Sequence, residues 1–172
     1  SNKRPHSMPS MLSTLNTSTD ATTVQRLTLE ELPRCVPFAR SFHAEMRLPG
    51  AFKDDIFLKN WTTFLTTYPA VIFTLRKGEA LVGGIGGMIV PDLLDGRLCA
   101  HEFFWFVDAA HRTGTGAIRL LNRFEEWAAK EGAVEVRMVH LVGNHDEQLG
   151  RIYTKRKYRL QELCYWKALK GR

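Results

Sequence analysis

The chain has 172 residues, 44% of them hydrophobic and 24% charged, which is enough for one compact core and short for two ordinary domains. No run approaches the roughly 20 apolar residues of a membrane helix, and the polar N-terminus lacks the apolar stretch of a signal peptide, so a soluble, cytoplasmic protein without a membrane partner is expected. The net charge of +6 is concentrated in residues 151–172, where eight Lys or Arg face a single acid, Glu162; a basic end of this kind suits cofactor phosphates, a nucleic acid or an acidic partner.

Residues 1–22 are rich in Ser, Thr, Asn and Met without an apolar period, the composition of a flexible tail or a cloning remnant, and residues 23–172 are expected to form the single domain. A short strand at about 23–27 leads to Thr28 and Glu31, spaced as a capping box. The helix that follows carries Leu32, Val36, Ala39 and Phe42 on one face and should run to about Met46, before the breaker Arg47-Leu48-Pro49-Gly50. Pro33 fits a first turn, whereas Pro37 should kink the helix or delay its regular part. Asp54 and Asp55 favour the start of a second helix, with Ile56, Phe57, Trp61 and Phe64 as its apolar face.

Val71 to Leu75 and Glu79 to Val90, joined at Lys77-Gly78, read as an antiparallel hairpin whose second arm is loosened by Gly83, Gly84, Gly86 and Gly87. After a turn at residues 91–96, Leu98 to Val107 is a strongly apolar, central strand. Ala117 to Lys130 repeats apolar residues with a 3.6-residue period and stops at Gly132. Ala133 to Val142 should be a strand parallel to Leu98–Val107, because the intervening helix is long enough to cross the sheet. A short helix over about 145–156 and closing strands over about 157–160 and 163–169 complete the expected set. The class is α+β, or mixed α/β, with helices flanking a mostly antiparallel sheet.

Between the apolar strand and the amphipathic helix lies Phe106-Val107-Asp108-Ala109-Ala110-His111-Arg112-Thr113-Gly114-Thr115-Gly116-Ala117. A helix's first amides have no internal partner and sit at the positive end of its dipole, so such a turn can hold a diphosphate by main chain. Gly114 and Gly116 permit close approach, and Arg112 adds charge. Two glycines also make a tight turn with no ligand at all, and that reading stands beside the first.

This segment resembles the signature Arg/Gln-x-x-Gly-x-Gly/Ala of the GNAT acetyltransferases, and the helix Leu120 to Ala133 looks like that family too. Counted from Arg112, the signature glycine positions fall on Thr115 and Ala117; counted from the glycines, His111 takes the Arg/Gln place. A helix starting at Ala117 favours the first count. The resemblance implies acetyl-CoA as co-substrate, held by Arg112, Thr113, Gly114, Thr115, Gly116 and Ala117, with the main chain of Phe106 and Val107 against its pantetheine arm. It also implies one parallel, splayed strand pair and an amide of the apolar strand near the thioester oxygen. Asn144 follows the next strand, where many relatives keep an Asn that touches the pantetheine.

Ile152 to Tyr158 resembles the family's Tyr-x-x-x-Gly-Phe element, with Lys157 in place of Gly and Tyr158 in place of Phe. The family tyrosine lies near the cofactor sulfur, and a phenol suits protonation of a departing thiolate, which makes Tyr153 the candidate general acid. An attacking ammonium must first lose a proton. Glu102 is the candidate base, because a carboxylate in so apolar a strand is costly unless paired or functional. His101 falls on the opposite strand face, and His140 is a third candidate. Cys35, Cys99 and Cys164 are odd in number and, like His101, His111, His140 and His145, lack zinc spacing, so no disulfide framework and no metal are expected.

The expected activity is direct acetyl transfer in a ternary complex to an amine, small molecule or protein, bound in a cleft formed by the first two helices and the last strands. The alternative is a catalytically weak GNAT-fold module that binds acyl-CoA or a protein. Nucleic-acid binding ranks last, since no nucleic-acid motif accompanies the basic end. Family members also pair their C-terminal strands between subunits, which leaves a homodimer open.

Overall fold

The computed structural model describes residues 21–141, 143 and 145–169. Its five strands, β1 (Thr22–Arg26), β2 (Ala70–Lys77), β3 (Ala80–Pro91), β4 (Leu98–Val107) and β5 (Glu135–Arg137), lie side by side in chain order. The first three pairings are antiparallel and β4–β5 is parallel, as a crossover through a helix requires. The helices are α1 (Val36–Glu45), α2 (Asp54–Thr67), α3 (Gly116–Lys130) and α4 (Asp146–Lys155). The fold is therefore mixed α/β, as its sequence implies.

Each sheet face carries its own core. On one side Leu120, Leu121 and Phe124 of α3, all fully buried, pack on Val71, Leu75, Ile85 and Ala100. Phe→Ala at such a site costs about 3–5 kcal/mol, because the transfer and cavity terms add. On the other side Phe38 and Trp61 pack on Ile72, Phe104 and Phe106. The glycines of β3 let these rings lie against backbone. A Cβ on Gly86 would stand 2.5 Å from Phe104 Cε1 and 2.8 Å from Trp61 Cη2, and one on Gly87 only 2.1 Å from the His101 carbonyl oxygen.

Residues 29–35 form a 3-10 turn, and regular helix begins only at Val36, so Pro37 delays the helix rather than kinking it. The reach-back half of the capping box is present: Thr28 N–H donates to Glu31 Oε2 at 3.1 Å. Glu31 also receives both Nη groups of buried Arg76, at 2.8 and 2.9 Å, and these bonds hold its carboxyl down at about 2.

Two expectations are corrected. The strand expected over 133–142 pairs only at 135–137, because the chain then diverges from β4. The closing strands expected over 157–160 and 163–169 do not form: no strand follows β5 among the described residues. That segment runs unpaired with Leu160, Leu163, Tyr165, Trp166 and Leu169 exposed. Its β-type composition finds no strand partner, and β-propensity describes fit to a pleated, half-buried surface rather than an intrinsic backbone preference.

The C-terminus of α4 is closed by a regular cap. Tyr158 N–H bonds the Tyr153 carbonyl at 2.9 Å and Lys157 N–H that of Thr154 at 3.0 Å, a Schellman motif, and Lys157 adopts φ +66° where the family has glycine.

Candidate active site

The site grows out of an irregularity in β4. Gly86 pairs with Phe104 and Gly87 with Glu102, so Phe103 is an extra residue, a β-bulge. Consequently both Phe103 and Phe104 face α2, where each meets Trp61 edge-on, at centroid distances of 6.1 and 5.5 Å. Trp105 meets Tyr153 of α4, and Glu102 meets Val139 beyond β5. The bulge thus brings Glu102 and Trp105, three apart, to the same side of the sheet, which strict alternation would have forbidden.

On that side β4 and β5 pair only through Cys99, Ala100 and His101, and from Glu102 onward β4 has no strand partner at this edge among the described residues. The result is a seam. Glu102 stands at its apex, 4% exposed, accepting one hydrogen bond from Val139 N–H at 2.8 Å. Burial pushes its carboxyl up to about 8, opposed only by that bond. Burial lifts the Tyr153 phenol well above the ordinary range, and the Glu102 charge adds to it. Its hydroxyl is buried and makes no hydrogen bond among the described residues. The ring is held by Trp105, His140 and Tyr158, at centroid distances of 6.3, 6.4 and 5.4 Å. Glu102 and Tyr153 therefore converge from different elements.

At the far end of the seam α3 begins at Gly116, one residue earlier than its apolar period suggests. Gly116 is buried, and a Cβ there would meet Leu75 Cδ2 at 2.5 Å. Thr113, Gly114 and Thr115 are exposed. The first i→i−4 bond of this helix runs from Arg119 N to Thr115 O at 3.0 Å, so the amides before it point out of the helix without an intrahelical partner. Trp105 Nε1 donates to the Ala117 carbonyl at 3.2 Å and ties this turn to the strand.

Phe106 and Val107 are buried at the end of β4. The Arg112 side chain is not extended toward the turn. Its Nε donates to the Val107 carbonyl at 2.6 Å, Nη2 to Glu45 Oε2 of α1 at 2.8 Å, and its guanidinium lies 5.3 Å from the Phe106 ring centroid. Arg112 thus fastens the end of β4 to the end of α1, and its charge is matched there. Asn144 lies outside the described residues.

Of the other two base candidates, only His140 adjoins the site, against the Tyr153 ring. His101 is on the opposite strand face, and desolvation lowers its pKa. His140 Nε2 lies 2.9 Å from Asp146 Oδ1. Of the cysteines, Cys35 is buried and its thiol is pushed up to about 12. Among the described residues no group of three or more His, Cys, Asp or Glu could hold a metal ion, and no helix is long and apolar enough to cross a membrane.

Across the sheet, α1, α2 and the loop between them enclose a cleft of about 390 Å³ with Phe103 and Phe104 in its wall. The aromatic spacing on α1 and α2 signals this lining in the sequence. The bulge has no such signal, since Phe103 and Phe104 are alike.

The model of the acetyltransferase (GNAT) family matches residues 29–159. Among solved structures, an aminoglycoside acetyltransferase from an uncultured soil metagenomic sample, in complex with trehalose, superposes with a TM-score of 0.71 at 18% identity, covering 88% of this chain and 98% of that one. The aminoglycoside acetyltransferase AAC(6')-Iy, in complex with a CoA-containing bisubstrate analogue, gives 0.67 at 16% identity, covering 87% and 99%. Glucosamine-6-phosphate N-acetyltransferase from Arabidopsis thaliana gives 0.64 at 13% identity, covering 87% and 99%. At these identities the likeness is one of fold. No curated protein matches the sequence.

Proposed function

The chain belongs to the GNAT acetyltransferase family, and from that premise we propose that residues 23–172 act as one domain that transfers acetyl from acetyl-CoA to a primary amine by direct attack in a ternary complex. The observation that carries this reading is the seam, which opens where Glu102 and Tyr153 converge and ends at the uncovered first turn of α3. The residues fit acetyl-CoA. The exposed Thr113-Gly114-Thr115 turn and the amides of Gly116 and Ala117 offer donors to a diphosphate, and the free edge of β4 along Phe106 and Val107 offers main chain to an amide-bearing arm. Asn144 is proposed as a further contact to that arm. Arg112 is assigned a positioning role, holding the Val107 carbonyl and α1.

The chemistry follows from two proton positions. The amine nitrogen forms a bond to the acetyl carbonyl carbon, the carbon–sulfur bond breaks, and one proton passes in net from nitrogen to sulfur. Glu102 takes the proton from the nitrogen, directly or through water, once it is ionised. Tyr153 is protonated at neutral pH, as any phenol is, and its hydroxyl, without a hydrogen-bond partner among the described residues, is the donor proposed for the departing thiolate. The proton gained at Glu102 leaves to solvent and Tyr153 is reprotonated from solvent after product release, which closes the proton balance. Negative charge developing on the carbonyl oxygen is met by a β4 amide near the bulge.

The test is calorimetric titration with acetyl-CoA alongside a thiol-release assay on a panel of amines. Wild-type protein is expected to bind with micromolar Kd, and Gly114→Trp, which crowds an exposed turn, to lose binding. Tyr153→Phe is expected to keep its acetyl-CoA Kd while kcat falls roughly 100-fold. Absence of wild-type binding would overturn the reading. Intact binding and no turnover with any amine would favour a module that binds acyl-CoA without transferring it.

A further inference from the structure

We infer that the acceptor is a small amine carrying an aromatic or compact alkyl group, seated in the cleft between α1, α2 and the β4 bulge, and that polycationic sugars are poor acceptors. The inference rests on the acetyl-transfer reading and adds the substrate class.

The lining decides the chemistry. Phe42, Phe52, Phe57, Trp61, Phe64 and Phe104 present their rings to the cleft, and the polar lining is limited to His43 and Asn60. The rings are set edge to face or tilted, with Phe52–Phe57 centroids 5.6 Å apart and Trp61–Phe64 5.7 Å apart, so an incoming ring finds both faces and edges to pack on. Among the described residues no carboxylate lines the cleft. The acids at its margin are engaged or turned outward: Glu45 binds Arg112, Asp54 binds Arg40, and Asp55 is exposed at the start of α2. An acceptor with several ammonium groups would leave water here and meet no countercharge, which is costly. An apolar group gains on entry.

Size agrees. The cleft, at about 390 Å³, lies in the range of roughly 300–1,000 Å³ that holds small ligands. Phe103 and Phe104 wall it, and Glu102 precedes them on the strand with its side chain on the other sheet face. An amine borne by a ring in the cleft therefore reaches the seam around the β4 edge that no strand covers among the described residues, not through the sheet.

The experiment compares 2-phenylethylamine with kanamycin and glucosamine 6-phosphate as acceptors in the thiol-release assay, on the full chain with saturating acetyl-CoA. kcat/KM for 2-phenylethylamine is expected to exceed that for either sugar at least 100-fold. Phe57→Ser and Phe52→Ser, both at half-buried rings, are expected to raise KM for 2-phenylethylamine about tenfold with acetyl-CoA Kd unchanged; should either fail to fold by circular dichroism, Phe57→Leu carries the same expectation at about threefold. Equal or better turnover of a sugar overturns the inference, as does acetyl-CoA binding with no turnover of the aryl amine. A concentration-dependent dimer abolished by Phe57→Ser would place a second copy in the cleft and also overturn it. Failure of acetyl-CoA to bind is a different result, which removes the acetyl-transfer reading itself.

Discussion

Glu102 owes its raised pKa to its position in the fold. A carboxyl near 8 is a poor anion at pH 7 and a competent base above it, so kcat at saturating substrates should climb through about pH 8 and the Glu102→Gln variant should lose that limb. The same burial makes a stability prediction of opposite sense. The unfolded chain loses this proton near 4.5 and the folded chain only near 8, so the folded state holds more protons between those values. Stability is then full below about pH 4.5 and declines as pH rises through 8, and chemical denaturation of Glu102→Gln should show a flatter slope across that window. Glu102 was legible in the sequence because a charge stands out in an apolar strand. Its convergence with Tyr153 was not, because that depends on a bulge at Phe103, and a register shift between like residues leaves no compositional trace. Arg112 was legible as a charge beside the turn, but its partner Glu45 lies 67 residues away along the chain, a pairing that only the fold creates.

At the scale of elements, the strongest periodicities translated most directly. α3 and the β2–β3 hairpin needed only their own patterns, whereas β5 and the segment after α4 depended on a partner strand, and there the expectation exceeded what forms. The end of α4 offers a direct test. Lys157 holds a left-handed φ of +66° that a side chain makes costly. Lys157→Gly should raise stability by about 1 kcal/mol, since the Schellman bonds already fix the turn, and thermal denaturation should show a midpoint about 2–4 °C higher. Tyr153 and Tyr158 flank this cap, so the family's aromatic pair survives the loss of its glycine.

For the whole molecule, the two sheet faces divide the labour: the seam and the α3 turn lie toward α3 and α4, the aromatic cleft toward α1 and α2, and the β4 bulge joins them. Acetyl-CoA that binds only the folded chain should raise the thermal midpoint by about 5–10 °C at 100 times its Kd, from a stabilisation of about 2.7 kcal/mol. Solved structures that share the fold include enzymes named for aminoglycoside and amino-sugar acceptors, while the cleft here is walled with rings. The β3 glycines bear on how such a difference arises in evolution. At Gly86 any side chain displaces Phe104 or Trp61, so variation there is purged for its effect on folding before it can alter acceptor choice. Of the rings between Phe42 and Phe64, all but the buried Trp61 sit half-exposed on helix surfaces and a loop that tolerate change. Heritable shifts of substrate should therefore accumulate in one short, contiguous run of codons, 42–64, and a mutagenic library confined to that run would sample most of the diversity open to this cleft.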